Sequence, residues 1–256
     1  MLAFCLARRY NNNLIPVQSR GFRLNKARDR VVRDEICYYC GEKSSTKEHI
    51  PPECFFPKGS KVELFTVPAC EKHNNAKSKD DEYVKVLLTT SADLMLREDL
   101  SYVIDKSKRA LKRSPAFKAT VLDDPEPALV ILPCGTCIPS TSHKIDIPRL
   151  LNFFNSFARG LFYHHEKKVW KGSVEVALHF LLRPDAEEED QLMNDELLEH
   201  YDRANSHGLN KNVFYYNFVT VFDDAPPSKI LMYVLCVCLF DKFKVSLILA
   251  PGPNLY

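Results

Sequence analysis

Two short motifs in the first third of the chain have the residue types and spacing of zinc ligands. The first is Cys37-Tyr-Tyr-Cys40, and the second, after 29 intervening residues, is Cys70-Glu-Lys-His73. In each motif a two-residue spacer lets both side chains reach one ion. Because zinc commonly takes four sulfur or nitrogen ligands in a tetrahedron, this set predicts a structural Zn²⁺ site, and the spacing favours it over coincidental thiols.

The segment between the two motifs contains a second chemically informative group, Glu48-His49. It is followed by Ile50 and two prolines, which exclude a helix and predict a short extended element that ends near the histidine. A neutral imidazole held in this way can take a proton from water near pH 7. His49 is therefore the candidate general base.

Glu48, together with Asn74 and Lys77, indicates where a phosphodiester and a catalytic ion would be held. Hydrolysis of a phosphodiester needs a divalent cation such as Mg²⁺ or Mn²⁺ to neutralise the developing charge. Glu48 offers one hard oxygen ligand, and Asn74 in the following helix offers a second. Lys77 lies one turn after Asn74 on the same helix face, where it can contact a phosphate.

Each of these residues also has a purely structural interpretation, which the sequence leaves open. His49 fits a histidine satisfied within the zinc-bound loop, and Glu48 fits a solvated carboxylate. Asn74 fits a helix cap, and Lys77 fits an ordinary surface lysine.

Taken together, the motifs resemble the HNH (ββα-metal) endonuclease family in its zinc-binding subtype. The resemblance rests on Cys-x2-Cys, then Glu-His-Ile-Pro, then Val67-Pro-Ala-Cys70-x2-His73-Asn74-x2-Lys77, and covers residues 35–85. It implies that His49 is the general base, that Glu48 and Asn74 bind a catalytic Mg²⁺ or related ion, and that the four Cys/His residues bind zinc. It further implies a nucleic-acid substrate, with DNA favoured over RNA.

The chain departs from the family pattern at two positions. His73 stands where a fourth cysteine is usual, and zinc accepts either ligand. The middle Asn of the motif is replaced by Leu64 or Phe65. The alternative function is therefore a zinc-structured module that binds nucleic acid, or another partner, through a degenerate and inactive HNH site.

Charge is distributed unevenly along the 256 residues. Residues 1–34 hold eight Lys/Arg against two acidic residues, whereas residues 121–256 hold twelve against eighteen. A polyanion would therefore be expected at the zinc-containing end. The basic segment before residue 35 suits an organellar targeting peptide, an arm that follows phosphates, or a lead-in without a role.

The pattern of apolar residues and turn formers predicts an α+β protein with four stretches. These are the basic segment 1–34, a zinc module at 35–84, a helical segment at 85–122, and an α+β domain at 123–256 whose role is open. For residues 35–84 the resemblance to the HNH family implies a zinc-stabilised ββα fold. Within the last stretch, prolines predict a linker at 123–127, Asp146 and Pro148 predict a helix start, and three strands predict an antiparallel meander.

The remaining expectations concern compartment and assembly. No apolar run reaches the roughly 18 residues that a membrane span requires, so no membrane is expected. Cysteine usage favours metal binding and free thiols over disulfides, which is typical of an intracellular, cytoplasmic protein. The oligomeric state has no signature in the sequence.

Overall fold

A computed structural model describes residues 15–16, 35–58, 64–92, 94–131, 134–181, 187–208, 210–223 and 229–252. The strands are β1 (Ile15–Pro16), β2 (Thr46–Ile50), β3 (Phe65–Ala69), β4 (Asp123–Ile131), β5 (Cys137–Lys144), β6 (Ser173–Leu178), β7 (Phe214–Phe222), β8 (Ile230–Leu239) and β9 (Phe243–Ala250). The helices are α1 (Glu71–Thr89), α2 (Ser101–Arg113), α3 (Pro115–Val121), α4 (Ile147–Glu166) and α5 (Glu188–Leu198). The basic segment 1–34 lies outside the described residues except for 15–16, so its predicted roles remain predictions.

The largest sheet has five antiparallel strands in the order β1-β7-β8-β9-β6. Strands β7, β8 and β9 follow one another as a meander, as their alternating apolar residues and turn signals predict. Strand β1 adds one short edge, pairing Ile15 with Thr220. Strand β8 is central and almost wholly buried, which explains its run of Val, Leu and Cys.

Helix α4 packs against this sheet and supplies much of the core. Asp146 caps its first turn by accepting a hydrogen bond from the Arg149 amide at 3.2 Å, with proline in the first turn, as predicted. The helix buries an apolar face toward the sheet and toward the segment with the candidate zinc ligands. Its fully buried aromatic residues are Phe153, Phe154 and Phe157.

One continuous hydrophobic core joins the predicted zinc module to the β domain. Phe55, from the segment after β2, stacks on Phe153 of α4 and on Phe240 after β8, with ring centroids 5.8 and 5.7 Å apart. The hairpin that carries the candidate site is therefore supported from behind by the larger sheet and its helix.

Helix α1 begins earlier than predicted. The sequence predicts a helical segment at 85–122, whereas in the structure the first helix ends at Thr89, and two 3-10 turns, Leu94–Leu96 and Glu98–Leu100, precede α2. Helix α1 starts at Glu71, with Cys70 at the N-cap, and continues past the expected boundary at 84/85. The first turn of α1 is polar because it carries zinc-ligand candidates, so an apolar pattern alone misses it.

The predicted linker at 123–127 is wrong, since these residues form the first half of β4. Strand β4 pairs only with β5 and lies largely exposed. An edge strand tolerates prolines because its outer amides need no partner. The register shifts between Asp123 and Glu126, where Asp124 has a φ of +46°.

At the level of fold class the prediction is confirmed. The protein is a mixed α+β chain with five helices among its described residues, antiparallel sheets and a cluster of three cysteines and one histidine.

Candidate functional site

The four predicted zinc ligands converge in the structure. The ligand atoms of Cys37, Cys40, Cys70 and His73 all lie within 4.8 Å of one another. Cys40 Sγ is 4.0 Å from Cys70 Sγ, and His73 Nδ1 is 3.7 Å from Cys37 Sγ and 3.1 Å from Cys70 Sγ. Ligands around one Zn²⁺ lie about 3.3–3.8 Å apart, so this donor set fits zinc.

Local backbone geometry brings the two half-sites together. Cys37 and Cys40 lie in a turn closed by the Gly41 amide, which donates to the Cys37 carbonyl at 2.9 Å. Gly41 has a φ of +81°, a conformation that favours glycine. The Tyr38 amide donates to Pro68 on β3 at 2.8 Å, which ties the turn to the strand that precedes Cys70.

The second half-site is held by the start of helix α1 and by an aromatic contact. Cys70 is the N-cap residue, and His73 lies in the first turn. The His73 ring stacks on Tyr39, with centroids 4.4 Å apart. The guanidinium of Arg159 on α4 lies over the same Tyr39 ring, 5.1 Å from its centroid. Helix α4 therefore also supports the candidate zinc site.

Strands β2 and β3 form an antiparallel hairpin that leads directly into α1. The register pairs Thr46 with Ala69, Glu48 with Val67, and His49 with Thr66. Asn74 on α1 joins helix and strand, since its side-chain amide donates to Thr46 Oγ1 at 3.1 Å and to the Lys47 carbonyl at 3.5 Å. Helix and hairpin thus form one unit built around the zinc ligands.

Helix α4 crosses close behind β2 at a glycine. A Cβ atom at Gly160 would lie 2.7 Å from Ile50 Cδ1, closer than van der Waals contact allows. Glycine at this position lets the helix approach the strand next to His49. The approach fixes the back of the hairpin while its opposite side stays open.

Glu48 is buried rather than solvated, and its partner is Lys77. The two side chains form an ion pair, and both are almost completely shielded from solvent. Asp81, one turn further along α1, lies 3.5 Å from the Lys77 ammonium. Burial alone would lower the pKa of Lys77, but the two carboxylates raise it above its ordinary value.

This pairing gives Lys77 a different neighbour from the one expected from the sequence. The helix spacing suggested contact with a phosphate, whereas the ammonium lies in the interior between Glu48 and Asp81. Burial removes the hydration of both groups, and the attraction between the carboxylate and the ammonium in the interior offsets that cost.

The same interior pocket contains a tyrosine hydroxyl. Burial raises the pKa of Tyr38 well above its usual range, and the neighbouring Glu48 carboxylate raises it further. Among the described residues, neither the Tyr38 hydroxyl nor Glu48 Oε2 has a hydrogen-bond partner. Glu48 Oε1 is paired with Lys77, and the Tyr38 hydroxyl lies close to the same carboxylate.

Glu48, His49 and Asn74 line a single open cleft of about 360 Å³ beside the zinc ligands. Three of the four candidate catalytic residues, from two different elements, are therefore brought together; the fourth, Lys77, does not line this cleft. The cleft walls also carry residues that sequence reasoning missed, notably Asp81, Lys85 and Lys106. The four-residue repeat from Lys77 through Asp81 to Lys85 signals the first two; Lys106 has no comparable local signal.

Phe65, at the place of the motif's middle Asn, has a packing role. Its ring stacks on His164 at the end of α4, with centroids 3.7 Å apart. Burial lowers the pKa of His164 to about 4, so this imidazole is neutral at pH 7. Among the described residues, no side chain hydrogen-bonds the ring of His49, which is half-buried.

Comparison of the chain with protein-family models, curated proteins and solved structures gave no significant match. Within the described parts of the chain, no helix has both the length and the apolar character needed to cross a bilayer.

Proposed function

We propose that this protein is a metal-dependent endonuclease and that β2, β3 and α1 form a zinc-anchored HNH (ββα-metal) module. The observation that carries the proposal is the convergence of Glu48, His49 and Asn74 on one open cleft beside the Cys₃His cluster. A base, a carboxylate and an amide oxygen in one cleft are the groups that phosphodiester hydrolysis requires.

His49 has the position of the general base in this proposal. Its ring lies in the cleft wall at the end of β2, where it can take a proton from an attacking water. The backbone that carries it is fixed on one side by pairing with Thr66 and on the other by the close approach of α4 to Ile50.

Glu48 and Asn74 have the donor atoms for a divalent ion. Glu48 Oε2 is buried and lacks a hydrogen-bond partner among the described residues. The Asn74 amide nitrogen donates a hydrogen bond to Thr46 on β2, which leaves the amide oxygen free to bind a cation. Mg²⁺ or Mn²⁺ prefers such oxygen ligands, and when bound it supplies charge neutralisation at the phosphate.

Lys77 acts as a positioning residue in this arrangement. Its ammonium binds Glu48 Oε1 inside the protein and so fixes the orientation of the carboxylate, whose Oε2 is the proposed metal ligand. Because Lys77 is paired with both Glu48 and Asp81, phosphate contact falls to other cations of the cleft.

The second candidate function is binding of nucleic acid without cleavage. Phe65 favours it, because its ring packs on His164 at the place where the family motif has an orienting Asn. Without an orienting side chain the imidazole of His49 samples several orientations, and only one of them can take the proton from water. Hydrolysis would then be slower.

The experiment that separates the two uses the full zinc-loaded chain, with supercoiled plasmid and a structured RNA as substrates. Wild type is compared with His49→Ala in Mg²⁺ and in Mn²⁺, with His143→Ala on exposed β5 as the matched control. Cleavage by wild type and by the control, but not by His49→Ala, supports the nuclease. If all three proteins leave both substrates intact, the nuclease proposal is rejected.

A further inference from the structure

Lys85 is the most unusual charged residue of the cleft. It lies on α1, two turns after Lys77, and only 2% of its surface is exposed. Among the described residues, no hydrogen bond or ion pair reaches its ammonium. Lys85 nevertheless lines the open cleft, so an anion in the cleft could reach it. An ammonium that has lost much of its hydration is stabilised when an anion binds next to it.

No carboxylate of the described residues forms an ion pair with Lys85, although Glu82 lies close enough to favour its charged form. Burial raises the pKa of the nearby Cys54 thiol to about 11, so this sulfur is uncharged at neutral pH. Burial lowers the pKa of Lys85 itself, and the positive charges of Lys106 and Arg113 lower it further, with Cys54 and Glu82 opposing. Glu82 also faces Arg113, at 3.7 Å.

Lys85 and Lys106 thus bring two positive charges from different helices to the wall of one cleft. The other charged residues of that wall are Lys47, Glu48, Glu53, Asp81 and Glu82. Two cations close together repel each other, and the arrangement is stabilised when an anion lies between them. The same wall contains His49, so such an anion would lie beside the proposed base.

Helix α2 continues the positive charge away from the cleft. Its apolar face packs inward through Val103, Ile104 and Ala110, and its exposed face carries one acidic residue, Asp105. The exposed basic residues of the helix are Lys106, Lys108, Arg109, Lys112 and Arg113. A row of cations on one helix face suits a regularly charged polyanion.

We propose that Lys85 and Lys106 form a phosphate-binding subsite of the cleft, and that the basic face of α2 extends it into a path for a nucleic-acid backbone. This inference rests on the proposed function and names the residues that would hold the substrate. It assigns to Lys85 and Lys106 the phosphate contact that the sequence suggested for Lys77.

The test measures binding separately from cleavage. Fluorescein-labelled 20-nucleotide duplex DNA, single-stranded DNA and single-stranded RNA are titrated with zinc-loaded His49→Ala protein, followed by anisotropy across a range of NaCl concentrations. No divalent ion is added, and no chelator, so that the zinc is retained. The double variant Lys85→Met/Lys106→Gln is compared with Lys168→Gln/Lys171→Gln, which removes the same charge from exposed positions.

We expect the cleft variant to bind about tenfold more weakly or worse. Its plot of log affinity against log salt should be shallower by about 1.8 for duplex and about 1.4 for single strands, since two phosphate contacts are lost. The control pair should retain affinity and slope. Lys85→Met alone should not lower Tm, because among the described residues its ammonium has no hydrogen bond or ion pair to lose.

Three outcomes would overturn the subsite. One is equal loss of affinity in the cleft and control variants. Another is a lower Tm for Lys85→Met together with normal binding by Lys106→Gln, which would make Lys85 structural. The third is equal competition by polyglutamate of matched charge, which would indicate an acidic protein as the ligand.

The subsite and the nuclease proposal fail in different ways. Oligonucleotides that bind through Lys85 and Lys106 and are never cut by the His49-containing protein would reject the nuclease and retain the subsite. Cleavage that depends on His49, with affinity indifferent to both lysines, would reject the subsite and retain the nuclease.

Discussion

Lys77 on helix α1 and Glu48 on strand β2 form a buried ion pair between residues that are 29 positions apart in the chain. The pair joins strand β2 to helix α1, and Glu48 also lines the cleft. A carboxylate fixed in this way has one oxygen committed to the protein and one available.

Breaking that pair should be costly. Lys77→Met leaves the Glu48 carboxylate buried without its counter-charge, and we expect a loss of about 3–5 kcal/mol in the free energy of unfolding, measured with urea. Glu48→Gln in the Lys77→Met background should recover most of the loss, because the unpaired charge is then removed. A loss below about 1 kcal/mol for Lys77→Met would show that the ion pair does not form in solution.

Zinc should be bound at one ion per chain and should be needed for folding of the hairpin and α1. Cys40→Ser is expected to lower the zinc content, measured by atomic emission, and to lower the urea midpoint, since binding free energy contributes to folding. The control is Cys134→Ser/Cys137→Ser, at two exposed thiols next to the β4–β5 turn. Equal zinc loss in both variants would argue against the Cys₃His site.

Much of this site is local in sequence, which is why it could be predicted. Cys37, Cys40, Cys70 and His73 show their role through spacing alone, and the Asp146 cap and the β7–β9 meander have equally local signals. The Glu48–Lys77 pair and the place of Lys106 depend on how distant elements pack, which no local pattern encodes. The prolines of 123–127 misled because an edge strand accommodates them.

Close packing between α4 and β2 gives a third prediction. Gly160→Ala places a methyl group against Ile50, so we expect a loss of about 1–3 kcal/mol in stability. In a double-mutant cycle, Ile50→Ala should cost less in the Gly160→Ala background than in wild type, because the clash is relieved. Additive effects would mean that helix and strand are further apart than the structure shows.

Stability should fall in mild acid because of His165. Burial, with smaller contributions from His207 and His164, lowers its pKa to about 3, and its Nε2 lies 2.9 Å from the Tyr216 hydroxyl. The unfolded histidine takes up a proton near pH 6.5 and the folded one does not, so its stabilising contribution is present above 6.5 and lost as pH falls toward 3.

The measurement is the slope of unfolding free energy against pH between 6 and 4. His165→Phe keeps an aromatic ring against Phe218 and removes the titrating group, so its slope should be shallower than wild type by up to about 1.4 kcal/mol per pH unit. Ser142→Ala, at an exposed position without a titrating group, is the control and should keep the wild-type slope. Identical slopes for wild type and His165→Phe would contradict the pKa shift.

The central claim, that His49 is the base of a nuclease, is tested most directly by single-turnover cleavage of plasmid DNA in Mg²⁺. Wild type and His49→Ala are compared at matched zinc content and matched thermal stability, so that folding cannot explain a difference. We expect His49→Ala to cut about 10²–10⁴-fold more slowly. Equal rates for the two proteins would contradict it.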